Sequence, residues 1–161
     1  MSRPKPPASR TPEARPLFLR PWYVFLVGVG GAAGTLARYL ISLVIPEAFG
    51  LPWPTLTVNL VGAFLLGMLL EGLARRGHDE GRRRTLRLLI GTGIMGGFTT
   101  YSSLAVEAEQ LLRAGRIWES IGYGLITVVA GLLAAFFGMW IAAVHHRAAV
   151  RRGGGHAEPA S

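Results

Sequence analysis

Asn59 lies inside an otherwise apolar run, one helical turn after Thr55, so the two side chains share a face. An amide in that position can donate hydrogen bonds to an anion without bringing a charge into an apolar medium. It can equally tie two helices together, an interaction worth about 1 kcal/mol. A second constellation follows at GTGIMGGFTTYSSLAVE, residues 91–107. Gly96 and Gly97 are adjacent, and Thr99, Thr100, Ser102 and Ser103 come straight after them. Glycines and hydroxyl residues weaken a helix from within, so the run predicts a helix broken near its middle. A kinked but continuous helix is the alternative. Breaks at membrane depth survive only where protein or water satisfies the freed peptide groups. They then build ion sites, with carbonyls for cations and helix N-termini for anions.

Other chemistry has little to rest on. The chain contains no cysteine, no phosphate-cradling loop and no pair of carboxylates inside an apolar run. Glu71 and Glu107 stand at the ends of such runs, and His78, His145, His146 and His156 fall in a loop, at a helix end or in a tail. Neither an enzyme nor a metal centre built from side chains is expected.

Four apolar segments must position these residues: 22–44, interrupted only by Arg38; 55–70, extendable to 73; 88–106; and 121–144, which has no charge. A membrane-crossing helix needs roughly 20 residues, and each segment reaches or approaches that length. The fold expected is an all-α integral membrane protein with four transmembrane helices, about 22–45, 55–74, 86–111 and 117–145. They form one domain, 21–146, between a disordered basic tail at 1–20 and a disordered tail at 147–161. The first run is too long for the core of a signal peptide, and further spans follow it, so it reads as a retained helix. Trp22, Tyr23, Trp53, Trp118 and Trp140 stand near segment ends, where aromatic rings anchor at the interface. Gly30 and Gly34 on the first helix, Gly93 and Gly97 on the third, and Gly124, Gly131 and Gly138 on the fourth form small-residue stripes that let helix backbones approach.

Composition agrees. Half of the 161 residues are hydrophobic, 16% are charged, and mean hydropathy is +0.37. The net charge of +8 sits in tails and loops rather than on a folded face, which argues for membrane topology and against nucleic acid.

Three blocks, GGAAGTLARY (30–39), TLTVNLVGAFLLG (55–67) and GTGIMGGFTTYSS (91–103), resemble the signature blocks of the CrcB/Fluc fluoride channels, in the family's order. The likeness covers about residues 22–144. It implies a dimer of two antiparallel four-helix subunits in the lipid bilayer, with two fluoride pores and a structural, untransported Na⁺ at the centre. By the same resemblance Gly96 and Thr99 donate main-chain carbonyls to that Na⁺, so Gly96→Val is expected to crowd the break. Asn59 matches the pore asparagine. Tyr101 and Leu104 stand where the family usually has two phenylalanines. Tyr123 and Thr127 fall on a polar track, with Thr55, Ser102 and Ser103 as further hydroxyls toward fluoride. Arg38 and Glu107 read as structural or vestibular. Leu104 has no ring edge to offer an anion, so the pore using that position is expected to be impaired.

The rival reading is a small four-helix proton-coupled antiporter of the multidrug-resistance kind, and a pure scaffold subunit is a third. Proton coupling needs a titratable group within the membrane, and the first helix has no acidic residue. Charge placement also predicts orientation. Fourteen of the 17 Lys and Arg residues fall on one side of four spans, Arg113 and Arg116 on the other, with Arg38 inside a segment. Both termini are therefore expected in the cytoplasm of a cell-membrane protein. So strong a bias suits a fixed orientation and a paralogous, oppositely oriented partner.

Overall fold

The computed structural model describes residues 20–46 and 50–153. The expected tail at 1–20 lies almost wholly outside them. Helix α1 spans Pro21–Val44 and α2 spans Trp53–Ala74. A short α3, Gly81–Leu86, runs on through a π-helical stretch, Arg87–Ile94, into a single closing turn, α4, Met95–Phe98. Two extended residues, Thr99 and Thr100, separate this rod from α5, Tyr101–Arg113. The last helix, α6, is Ile117–Gly153. No β-strand occurs among the described residues.

Proline starts both α1 and α2, at positions where its missing N–H costs no helical bond. α5 ends on Gly115 at φ +76, a conformation open to glycine, and the Arg116 N–H reaches back to Leu111 O at 2.9 Å. α6 was expected to stop near 145 but continues about two turns further, because HHRAAVRR contains no helix breaker and is rich in alanine and arginine. Three helices, Pro21–Val44, Trp53–Ala74 and Ile117–Val150, are long and apolar enough to cross a membrane. The third expected span is the composite of α3, the π stretch, α4 and α5.

Two glycine seams hold the bundle. A β-carbon on Gly30 would strike the Leu89 carbonyl, one on Gly34 the Ile94 carbonyl, and one on Gly97 the Gly31 carbonyl. The stripes of α1 and of the third rod thus face each other. In the second seam Gly67 meets Ala135 O and Gly138 meets Phe64 O, joining α2 to α6. Leu56 lies by Tyr123, eleven residues before Gly67, so these two helices run parallel. Close backbone approach replaces the hydrophobic drive that lipid removes. The large apolar side chains point outward instead: Phe25, Val29, Leu36, Leu43, Leu132 and Phe136 are all exposed, as on a surface solvated by lipid.

The glycine stripe on α6 is only partly used. Gly138 is packed, whereas a β-carbon on Gly124 or Gly131 meets nothing within 4 Å. The same holds at Gly96, where a β-carbon meets nothing within 4 Å in this subunit. Gly97, one residue on, is the glycine that a side chain would disrupt.

A polar cleft at the broken helix

The break is fixed from α2. Asn59 Oδ1 accepts the Thr100 N–H at 2.8 Å and Asn59 Nδ2 donates to Thr100 O at 2.9 Å. One amide side chain thus satisfies both peptide groups of Thr100, the residue at which the chain leaves the helix. Of Asn59's donor hydrogens, one remains. Thr100 then caps α5, its Oγ1 accepting the Ser103 N–H at 3.1 Å. The cap oxygen also lies 3.1 Å from Ser103 Oγ and 3.2 Å from Ser102 Oγ. On the other side of the break Thr99 Oγ1 donates to Met95 O at 2.9 Å, closing the carbonyl end of α4.

Beside the break a cleft of about 600 Å³ opens between α1, α2 and α5, and Arg38, Thr55, Thr100, Ser103 and Glu107 supply its polar wall. Arg38 Nε donates to Gly97 O at 3.3 Å, with Thr35 Oγ1 on the same carbonyl at 3.4 Å. Glu107 accepts at both oxygens, from Thr55 Oγ1 at 2.6 Å and from the Tyr123 hydroxyl at 2.7 Å. Three helices therefore converge on one carboxylate. The arrangement offers a guanidinium, hydroxyls and the N-terminal end of α5, all suited to a small anion, around an acid held by two donors.

The expected site residues divide. Arg38, Thr55, Ser103 and Glu107 line the cleft, and Tyr123 reaches it through Glu107. Asn59 stands behind the break as its clamp. Thr127 is buried and donates to Tyr123 O in its own helix at 2.7 Å. Tyr101 and Leu104 face apart: Tyr101 is 82% exposed, whereas Leu104 is 8% exposed and packs with Leu111 and Tyr123. Within the subunit Leu104 is a core residue. Thr35 and Thr100 were missed. Thr35 is three residues before Arg38, hence on its face, and Thr100 stands before a helix as an N-cap does, so both carried a signal in the sequence.

These features define a multi-pass membrane protein whose polar residues gather at a broken helix. The chain belongs to the CrcB family: residues 25–139 match the family described as CrcB-like protein, Camphor Resistance. It is 52% identical over 118 residues to a protein of Cutibacterium acnes named fluoride-specific ion channel FluC 1, covering 73% of this chain and 82% of that one. It is 45% identical over 128 residues to fluoride-specific ion channel FluC 2 of Leifsonia xyli, covering 80% and 88%. A Caulobacter vibrioides protein, fluoride-specific ion channel FluC, is 37% identical over 121 residues, covering 74% and 94%.

Proposed function

We propose that this chain is a subunit of a fluoride channel, not an enzyme, that lets fluoride leave the cytoplasm passively and so lowers its toxicity. The observation that carries the reading is the family membership, over a span that contains every residue of the cleft. Fluoride is small and holds its water tightly, so a pore must replace that water with close donors. Arg38 can draw the anion toward the cleft, and the hydroxyls of Ser102 and Ser103 can hand it onward, with Tyr101 meeting it from the outer face. Thr55, Tyr123 and Thr127, whose hydroxyl protons are held by Glu107 and by the Tyr123 carbonyl, shape the track rather than donate to it. Asn59 contributes by holding open the break that exposes the start of α5, with one amide hydrogen left to donate.

The assembly that makes a complete pore is an antiparallel dimer of four-span subunits, with α3 to α5 as the third crossing. The open space at Gly96, Gly124 and Gly131 supports a second backbone docking there. Such a dimer would bring the Gly96 and Thr99 carbonyls of two chains together, and main-chain oxygens suit a hard cation such as Na⁺. The ion would supply a fixed positive charge that locks the two breaks together. The Thr99 hydroxyl is committed to Met95 O, which fits a role for Thr99 through its carbonyl alone. The charge bias of the loops supports a fixed orientation with both termini in the cytoplasm, and hence a paralogous partner of opposite orientation.

The place of Glu107 in the cleft is the observation that favours the rival reading of proton-coupled exchange. One experiment decides between them. The protein, with its partner where one is required, is reconstituted in fluoride-loaded liposomes and efflux is followed with and without a proton gradient. The channel reading expects electrogenic fluoride efflux that is indifferent to the gradient and strongly favoured over chloride. Flux that stops when the gradient is removed, or chloride moving as fast as fluoride, would overturn it.

A further inference from the structure

At the end of the molecule where α2 stops, a cavity of about 310 Å³ is walled on one side by Leu70, Leu73 and Ala74 and on the other by Arg83 and Arg87, with Asp79 at its rim. The guanidinium groups are placed rather than loose. Arg87 donates to Asp79 Oδ2 through Nε at 3.0 Å and Nη2 at 2.7 Å. Arg84 donates to Asp79 O at 2.9 Å and lies 3.9 Å from the carboxylate. Arg83 Nη1 donates to His78 O at 3.2 Å, over Gly77 at φ +111, where a β-carbon would come within 2.7 Å of that nitrogen. Glycine at 77 thus makes both the turn and the room for Arg83.

Charge in this region is far from balanced. Glu71 pairs with Arg75, and Asp79 with Arg87. That leaves Arg76, Arg82, Arg83 and Arg84 against Glu80. The cations sit at the boundary where an apolar membrane helix ends, beside an apolar wall that continues into the bilayer. Inorganic phosphate could use only the guanidinium side of such a cavity. A phospholipid uses both, because its phosphodiester pairs with guanidinium while its first methylenes lie against leucine.

We propose that this cavity binds the headgroup of an anionic phospholipid, with the phosphodiester on Arg83 and on the N–H groups of Arg87 that Asp79 does not take, and the upper acyl chain along Leu70 and Leu73. The site is remote from the cleft and depends only on the protein's crossing a membrane, so it stands or falls independently of fluoride transport.

The test is native mass spectrometry of the full-length protein titrated with phosphatidylglycerol or with phosphatidylcholine of the same chains. Phosphatidylglycerol is expected to be retained on the order of tenfold better. Arg83→Gln with Arg87→Gln should abolish that preference, whereas Arg76→Gln with Arg82→Gln, outside the cavity, should leave most of it. Should loss of the Arg87–Asp79 link impair folding, Arg83→Gln alone, which gives up one bond to a loop carbonyl, carries the comparison. Equal loss in both pairs would mean diffuse attraction to basic loops and would overturn the site. So would retention of both lipids alike, or displacement of phosphatidylglycerol by an excess of inorganic phosphate.

Discussion

Asn59 and Thr100 hydrogen-bond in both directions, side-chain amide to peptide, so that the helix break is held from a neighbouring helix. Asn59→Asp loses the donor and sets a carboxylate against the Thr100 carbonyl, while Asn59→Ala leaves both peptide groups unpaired. Each unsatisfied group costs about 1–3 kcal/mol. Both variants are expected to lower the melting temperature in detergent and to lose fluoride flux together. A variant that kept full stability and lost only flux would assign Asn59 to the ion rather than to the break.

The two classes of glycine should respond oppositely to alanine. Gly34→Ala and Gly97→Ala place a methyl against a backbone carbonyl and should separate α1 from the third rod, seen as loss of monodisperse protein. Gly124→Ala and Gly131→Ala meet nothing within the subunit and should leave its melting unchanged. If a second subunit docks on that open face, they will instead weaken dimerisation, which crosslinking in the membrane can read.

Thr55 and Tyr123 hold the same carboxylate, so their contributions should not add. Thr55→Val and Tyr123→Phe are each expected to change fluoride flux, and the double variant by clearly less than the product of the two. Residues sharing one partner couple by about 0.5–3 kcal/mol. Independent effects would show that Glu107 is not the link between them.

Much of this architecture was legible in the sequence because apolar run length and glycine spacing report directly on lipid exposure and close helix contact. The break was legible from Gly96-Gly97 and the hydroxyl residues after it. What failed was direction. Asn59 looks equally suited to an ion or to a peptide until the position of Thr100 is known. Tyr101 and Leu104 lie three apart, hence near one face, yet they divide between surface and core: Tyr101 opens α5 at the break, whereas Leu104, a turn further on, packs with Leu111 and Tyr123. The end of α6 was misjudged because charge was taken as disorder, whereas alanine and arginine are strong helix formers.

The loop carboxylate Asp79 gives a pH prediction outside the membrane. Its hydrogen bond from Arg87, aided by the charges of Arg87 and Arg84, holds its pKa below the ordinary value of 3.8. A depressed folded pKa means that the stabilisation is present above the unfolded value and is lost as pH falls through the folded one. The Arg87–Asp79 link should therefore persist to below pH 3.8, as carboxyl chemical shifts would show. Because Asp79 is exposed, high salt should weaken it. Titration at or above the ordinary value would remove the link from solution.

Orientation can be read in cells because the chain lacks cysteine. His78→Cys and Ala114→Cys place thiols in exposed loops at opposite ends of the molecule. The arginine bias predicts that the first is labelled only from the cytoplasm and the second only from outside. Comparable labelling of each from both sides, with fluoride flux from this chain alone, would instead make it a dual-topology homodimer.

The π-helical stretch makes one part of the chain sensitive to length rather than to composition. Gly93 lies within it and Gly97 lies beyond it, and both must meet α1. A deletion of a single residue between 87 and 92 would turn everything after it by about 100° relative to the start of the rod, the angle of one α-helical residue. The glycines would swing away from their seam, and the break would no longer face Asn59. Conservative substitutions among Leu88, Leu89 and Ile90 keep the register and should be tolerated. Relatives aligned across this stretch should accordingly vary in side chain yet never in spacing, a pattern of inheritance set by geometry.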